Sequence, residues 1–202
     1  MKLTLSMARY PAVALLACTA ATLSLATPAD AQPVSIPILN PSFDLDVLDG
    51  SPGASSNGLT GWITGPNSGV FKASTTQYPE APSTGVYCAY LGYSSVTGSI
   101  SQTLGATVQA NTTYVLTLGI GARADYPFTG YVASLLAGNV VLASGHKTTP
   151  LGGTFVKEVL EYESGAAPAQ LGQRLQIRIV SLGEGQVNIN GAVLTAAPTT
   201  AQ

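Results

Sequence analysis

Two-residue alternation of apolar and polar side chains dominates this sequence after Ser35, and that period suits a half-buried strand and no helix. Arg174-Leu-Gln-Ile-Arg-Ile-Val alternates strictly, setting Gln176 and Arg178 opposite Leu175, Ile177 and Ile179. Thr113 to Ala122 puts Tyr114, Leu116, Leu118 and Ile120 on one face. The other carries Thr113, Val115, Thr117, Gly119 and Gly121 and runs on to Arg123. Val86 to Gly92 separates Val86, Cys88 and Tyr90 from Tyr87, Ala89 and Leu91, and Gln186-Val-Asn-Ile-Asn places Asn188 and Asn190 opposite Val187 and Ile189. Shorter candidates are Val34 to Leu39 (where Pro37 suits an edge), Gly61 to Ile63, Val70 to Ala73, Ser99 to Leu104, Tyr131 to Ala137, Val140 to Ser144 and Thr154 to Tyr162. Gly138-Asn139 reads as a two-residue hairpin turn, and Leu48 to Leu59 and Gln77 to Gly85 read as loops. About ten short strands without a repeat predict an all-β fold, a two-sheet β-sandwich of jelly-roll type.

The first residues follow a different rule. Lys2 and Arg9 give a basic start, Pro11 to Ala26 an apolar run too short and too interrupted for a membrane span, and Ala29-Asp30-Ala31 a small-x-small site before Gln32. Residues 1–31 are therefore expected to be a signal peptide and 32–202 a single secreted jelly-roll domain. Removing Lys2, Arg9 and Asp30 from eight basic and ten acidic residues leaves a chain net acidic by about three charges. No basic stripe points to nucleic acid, and no polybasic patch or hydrophobic C-terminal tail points to a membrane. The hydrophobic fraction of 46% argues against disorder. Cys18 leaves with the leader, so Cys88 is expected to be a buried structural thiol.

Candidate chemistry concentrates in Gly119 to Tyr131. An arginine, an aspartate and three aromatics fall there in a chain that is only 9% charged. A face of small residues ending at Arg123 leaves room for a ligand, and interior glycines mark close approach. Arg123 would hydrogen-bond a ligand oxygen, with Asp125 orienting it or acting as acid/base, and the alternative is a surface ion pair. Arg178 and Asn188 face away from their strands' apolar sides and are expected to converge with Arg123. Tyr90 would line the same face, and Tyr126 and Phe128 would form an apolar wall. Trp62 suits packing better than stacking on a sugar, but stays a binding candidate. His146 reads as an exposed turn residue, and Glu158, Glu161 and Glu163 as a solvated strand face. Asn111-Thr-Thr113 is a glycosylation sequon if the host is eukaryotic.

Several segments together carry a resemblance: Ile36-Pro-Ile-Leu-Asn-Pro-Ser-Phe-Asp44, Gly61-Trp62, Tyr87-Cys-Ala-Tyr-Leu91, Ser99-Ile-Ser-Gln-Thr-Leu104, Gln109-Ala-Asn-Thr-Thr-Tyr114, Leu136 to Ser144 and Gln186-Val-Asn188. They resemble the secreted galactose-binding-like, carbohydrate-binding-module-like jelly rolls. They also resemble the calcium-dependent Stig cyclases of indole-alkaloid biosynthesis, and the chain looks like the fungal hetero-Diels–Alderases. The resemblance implies a structural calcium with Asp44 as a ligand, although the family pattern usually has Glu there; a solvated turn is the other reading. It also implies a C-terminal aspartate as general acid where this chain has Asn190, which carries no ionisable proton. The expected function is a cofactor-independent cyclase closing rings by pericyclic or [4+2] chemistry on an apolar terpenoid or polyketide. Arg123, Asp125 and Asn190 would be catalytic, and a homodimer is open to it. The alternative is a non-catalytic carbohydrate-binding module taking an oligosaccharide. N-terminal sequencing of exported protein is expected to begin at Gln32, and a chain retaining residues 1–31 after export would contradict the leader.

Overall fold

The computed structural model describes residues 32–81, 86–146 and 150–199, so the expected leader over 1–31 lies outside the described residues. Twelve strands run through these parts: β1 (Val34–Ile36), β2 (Ser55–Asn57), β3 (Ile63–Thr64), β4 (Ser68–Ala73), β5 (Val86–Leu91), β6 (Ser99–Thr107), β7 (Thr112–Ala122), β8 (Gly130–Ala137), β9 (Val140–Gly145), β10 (Thr154–Glu163), β11 (Arg174–Leu182) and β12 (Val187–Pro198). One sheet has the order β10-β7-β12-β5-β4-β2, with β1 pairing the far half of β12. The other has the order β3-β6-β11-β8-β9. Every pairing between named strands is antiparallel, and the two sheets form a jelly-roll sandwich.

Alternation sorts the side chains as the period requires. Tyr114, Leu116, Leu118 and Ile120 of β7 meet Leu175, Ile177 and Ile179 of β11 in the core between the sheets. The β8–β9 hairpin turns at Gly138 with φ 56°, a conformation open to glycine. β2 lies in the stretch read as a loop. All three of its residues are exposed on the sheet edge, so no buried face imposed a period on Ser-Ser-Asn.

Glu158 corrects a second expectation. It shares parity with Leu160 and Tyr162, not with the exposed Glu161 and Glu163, and it is turned inward and buried. There it accepts a hydrogen bond from the Tyr131 hydroxyl at the seam between the sheets.

The Asn-Pro-Ser-Phe-Asp turn is a clamp. Asn40 and Phe43 adopt positive φ (51° and 62°), which seats Phe43 against Trp62 with ring centroids 5.5 Å apart. The Asn40 side chain donates to Asp46 and to the Thr60 carbonyl, while its backbone carbonyl accepts from Trp62 Nε1 at 3.2 Å. Trp62 is thus buried scaffold, which removes it as a substrate platform.

The same turn tests the implied calcium. Asp46 spends both oxygens on Thr60 and Asn40, and Asp44 accepts from the Ser42 hydroxyl. Among the described residues no three His, Cys, Asp or Glu side chains gather. The carboxylates of Asp44 and Asp46 are thus engaged by the turn's own donors. Trp62→Ala is expected to cost about 3–5 kcal/mol in urea unfolding, since it empties a packed site and strands the Asn40 carbonyl. A loss below about 1 kcal/mol would show that the clamp does not hold this end of the sandwich.

Candidate functional site

The seven-stranded sheet is buried at its centre on both faces. On the side away from the main core, Phe71, Ala73, Tyr78, Cys88 and Tyr90 form a second apolar cluster, with Ala81 and Phe155 packed on it. Sheet register explains why it forms here. Phe155 pairs with Gly121, Gly121 with Asn188, Asn188 with Tyr90, and Tyr90 with Gly69, making one row across five strands.

The two glycines clear space within that row. A Cβ at Gly121 would lie 2.3 Å from the Phe155 ring and 2.6 Å from the Tyr78 hydroxyl, and one at Gly69 would lie 2.0 Å from the Ser56 carbonyl. The small-residue face expected from the sequence therefore exists, but the protein's own Tyr78–Phe155 stack (centroids 4.3 Å) fills it at Gly121. At Gly119 the backbone of Asn190 fills it, at the bulge between Ile189 and Ala192.

Over Gly121 the Tyr78 hydroxyl donates to Asn188 Oδ1 at 2.9 Å, and Asn188 Nδ2 donates to the Ala89 carbonyl at 3.2 Å. Asn188 is fully buried, so its amide is fixed by these two bonds. Tyr90 donates to Asn57 on β2. Burial pushes the Tyr78 and Tyr90 phenols and the Cys88 thiol up, so all three stay protonated at neutral pH and Cys88 is no nucleophile.

At one end of the row stands Arg123. Its Nε and Nη2 donate to the two oxygens of Asp125 at 2.8 and 2.7 Å, and Nη1 donates to Gln186 Oε1 at 3.0 Å. The guanidinium lies 5.0 Å from the centre of the Phe71 ring and 5.9 Å from that of Tyr126. Tyr126 is held by accepting from the Ser94 N–H and by its ring contact with Tyr93. The hydrogen bonds from Arg123 hold the Asp125 carboxyl below its ordinary range, against a smaller opposing effect of burial. Asp125 therefore orients Arg123 and remains ionised, which takes from it the acid role.

Two cavities flank this centre. One of about 330 Å³ is bounded by Phe71, Tyr90, Tyr93, Arg123 and Gln186 and, across from them, by Gly53, Ser55 and Asn67. The other, about 290 Å³, lies beyond Tyr78 and Phe155 and reaches Glu80 and the exposed Asn190.

The structure thus brings together Arg123, Asp125, Tyr90, Tyr126 and Asn188, with Asn190 on the second cavity. It separates two others. Phe128 is buried in the inter-sheet core, edge-on to Tyr131, so it is no wall of the site. Arg178 is exposed on the outside of the other sheet, between Ser101 and Ser134 in register, with the whole core between it and Arg123. Facing away from an apolar stripe put Arg178 on an outer face, but there are two such faces. Asn111 is exposed in the turn before β7 and His146 is exposed after β9.

Phe71, Gln77, Phe155 and Gln186 are site residues the sequence reading passed over. Gln186 shares parity with Asn188 and Asn190 and was legible from it. Gln77 sits in an unpatterned loop and accepts from the Ser74 N–H and hydroxyl while its backbone carbonyl takes the Ala124 N–H, tying that loop to Arg123.

Fold and face together define a jelly roll with a small-molecule-sized aromatic site on the outside of one sheet. The chain belongs to the HpiC1-like family: the family model, HpiC1 cyclase, matches residues 34–193. Among solved structures it is similar to the Stig cyclase Fisc from Fischerella sp. TAU in complex with (3Z)-3-(1-methyl-2-pyrrolidinylidene)-3H-indole. That match has 28% identity and a TM-score of 0.72 over 83% of this chain and 99% of that one. It is also similar to a cyclase from Fischerella sp. TAU in complex with 4-(1H-indol-3-yl)butan-2-one, at 28% identity and TM-score 0.69 over 83% of this chain and 100% of that one. No curated protein matched.

The lowered Asp125 pKa fixes the sign of a pH effect. Its pairing with Arg123 contributes fully above the ordinary carboxylate pKa of about 4 and is lost as pH falls through the depressed value. The gap in melting temperature between wild type and Asp125→Asn is expected to stay constant from about pH 8 to 5 and to close below about pH 4. A gap unchanged by acid would mean that Asp125 does not hold Arg123.

Proposed function

We propose that this protein is a cofactor-independent cyclase of natural-product biosynthesis, exported from the cell, that folds a small apolar substrate for ring closure. The substrate class is a terpenoid or polyketide chain with an unsaturated or aromatic part. The observation that carries the reading is the composition of the first cavity. Phe71, Tyr90 and Tyr93 line it on one side and the uncharged polar groups of Ser55, Asn67 and Gln186 on another, and the charged group among its described lining residues is an arginine already neutralised by Asp125.

Such a site gives a substrate aromatic contact on one side and neutral hydrogen-bonding groups on the other, with no free charge to satisfy. Ring closure needs its reacting ends held a few ångströms apart in a productive geometry, and a rigid aromatic wall supplies that by restricting the chain. Arg123 is fixed by Asp125 and by the flanking rings, so it presents N–H groups that need no reorganisation when charge develops on an acceptor atom. The C-terminal acid of the resembling cyclases has no ionisable counterpart in Asn188 or Asn190. Closure by concerted [4+2] or related pericyclic chemistry fits this set of groups better than protonation by a carboxylic acid. Asn188 keeps the floor rigid through Tyr78 and Ala89.

Calorimetric titration with 4-(1H-indol-3-yl)butan-2-one tests the site. Saturable binding is expected, weakened about tenfold or more in Tyr90→Ala while the variant stays folded by circular dichroism. Equal affinity in the variant, or no binding to wild type, would sink this placement of the substrate.

A further inference from the structure

Beside the cavity lies a buried donor for which the chain shows no partner. Gln186 is 4% exposed and lines the same cavity as Arg123. Arg123 Nη1 donates to its Oε1 at 3.0 Å, and that bond fixes which way round the amide lies. The other end, Nε2, is then turned away from the guanidinium. It is the one buried side-chain N or O atom among the described residues for which no hydrogen-bond partner is found. A buried amide left unpaired costs about 1–3 kcal/mol, so a fold keeps one where something else satisfies it.

Arg123 adds to this. Of its five N–H groups, two are spent on Asp125 and one on Gln186, which leaves one each on Nη1 and Nη2. At the Arg123–Gln186 end of the cavity two donor-bearing side chains are therefore tied together by one hydrogen bond, and what their remaining N–H groups receive has to be an acceptor.

Charge selects among acceptors. The arginine's positive charge is balanced at 2.7 Å by Asp125, which is held ionised. An incoming carboxylate or phosphate would meet little net positive charge and would lie near a fixed negative one. A neutral carbonyl oxygen loses little solvation on entry and takes two donors. We propose that Gln186 is a specificity-determining residue whose Nε2–H, with a free N–H of Arg123, receives a neutral carbonyl oxygen of the substrate. The inference rests on the cyclase reading of this cavity and specifies its substrate: a carbonyl-bearing apolar molecule, activated by hydrogen bonding to that oxygen. No atom is transferred in this step. Both donors keep their protons, and the carbonyl is polarised.

Three probes of one shape test it by calorimetry: 4-(1H-indol-3-yl)butan-2-one, 3-butyl-1H-indole, which lacks the acceptor, and 3-(1H-indol-3-yl)propanoic acid, which puts a carboxylate at the ketone's position. Wild type is expected to bind the ketone about tenfold more tightly than the butyl compound and to bind the acid no better than the ketone. Gln186→Met keeps the volume and removes the donor. It is expected to bring the ketone preference below about threefold while binding of 3-butyl-1H-indole is unchanged, which a merely structural role would not do. Independently of that variant's folding, the Gln186 side-chain amide resonance of selectively labelled wild type is expected to shift with the ketone and not with 3-butyl-1H-indole. Equal wild-type affinity for these two probes overturns the inference and leaves the aromatic site standing. Tighter binding of the acid, a preference that survives Gln186→Met, or an amide resonance indifferent to the ketone overturns it as well. Failure of all three probes to bind removes both the inference and the reading beneath it.

Discussion

The site depends on a missing side chain. With only a hydrogen at position 121, the Tyr78 ring can settle on the sheet, stack on Phe155 and pass its hydroxyl to Asn188. Any Cβ there would stand 2.6 Å from that hydroxyl, and close-packed interiors do not absorb such an overlap without displacement. Gly69 does the same service on the other side, letting β2 approach closely enough for Asn57 to take the Tyr90 hydroxyl. A sheet that would otherwise show water a plain outer face is thereby covered at its centre and left open as cavities on two sides.

Covering the sheet also fixes its electrostatics. Once Tyr78 and Cys88 are removed from water, charge on either becomes expensive, and the phenol and thiol titrate far from neutrality. The one full positive charge at this end is matched by an adjacent carboxylate and flanked by two rings. What remains is an environment of hydrogen-bonding groups and π faces in which the Tyr78 and Tyr90 phenols and the Cys88 thiol keep their protons. Such a site suits chemistry limited by shape and orientation rather than by proton transfer.

The sequence carried much of this and failed in specific ways. Period-two alternation located the long strands and assigned β5, β7 and β12 their faces correctly, because burial on at least one face of a sheet forces the pattern. It missed β2, which has no buried face to write a pattern with. It grouped Glu158 with Glu161 and Glu163 by composition although parity separates them, and the structure follows parity. Alternation also tells inside from outside without telling which sheet. Arg178 and Arg123 were both rightly placed facing outward, and only the crossover of β11 into the other sheet puts them on opposite sides of the molecule. Phe128 sits just ahead of β8 in a stretch with no period, and its burial against Tyr131 comes from the chain turning back into the core.

Family membership and site chemistry then point in complementary directions. The backbone match to the Fischerella cyclases is close over nearly the whole of those chains, yet at 28% identity most side chains differ, and a fold can host several chemistries. In this chain the C-terminal strand and the residue before it carry Gln186, Asn188 and Asn190, three amides in alternate positions. An amide matches a carboxyl in size and in its ability to hydrogen-bond, but it does not release a proton at neutral pH. Holding one of them rigid between Tyr78 and Ala89, and turning another so that its oxygen accepts from Arg123, gives the face a fixed polar geometry without an acid. The rate enhancement available to such a face comes from restricting the substrate and from donors already in place. Its selectivity therefore depends on the fit of the aromatic wall and the position of one acceptor atom.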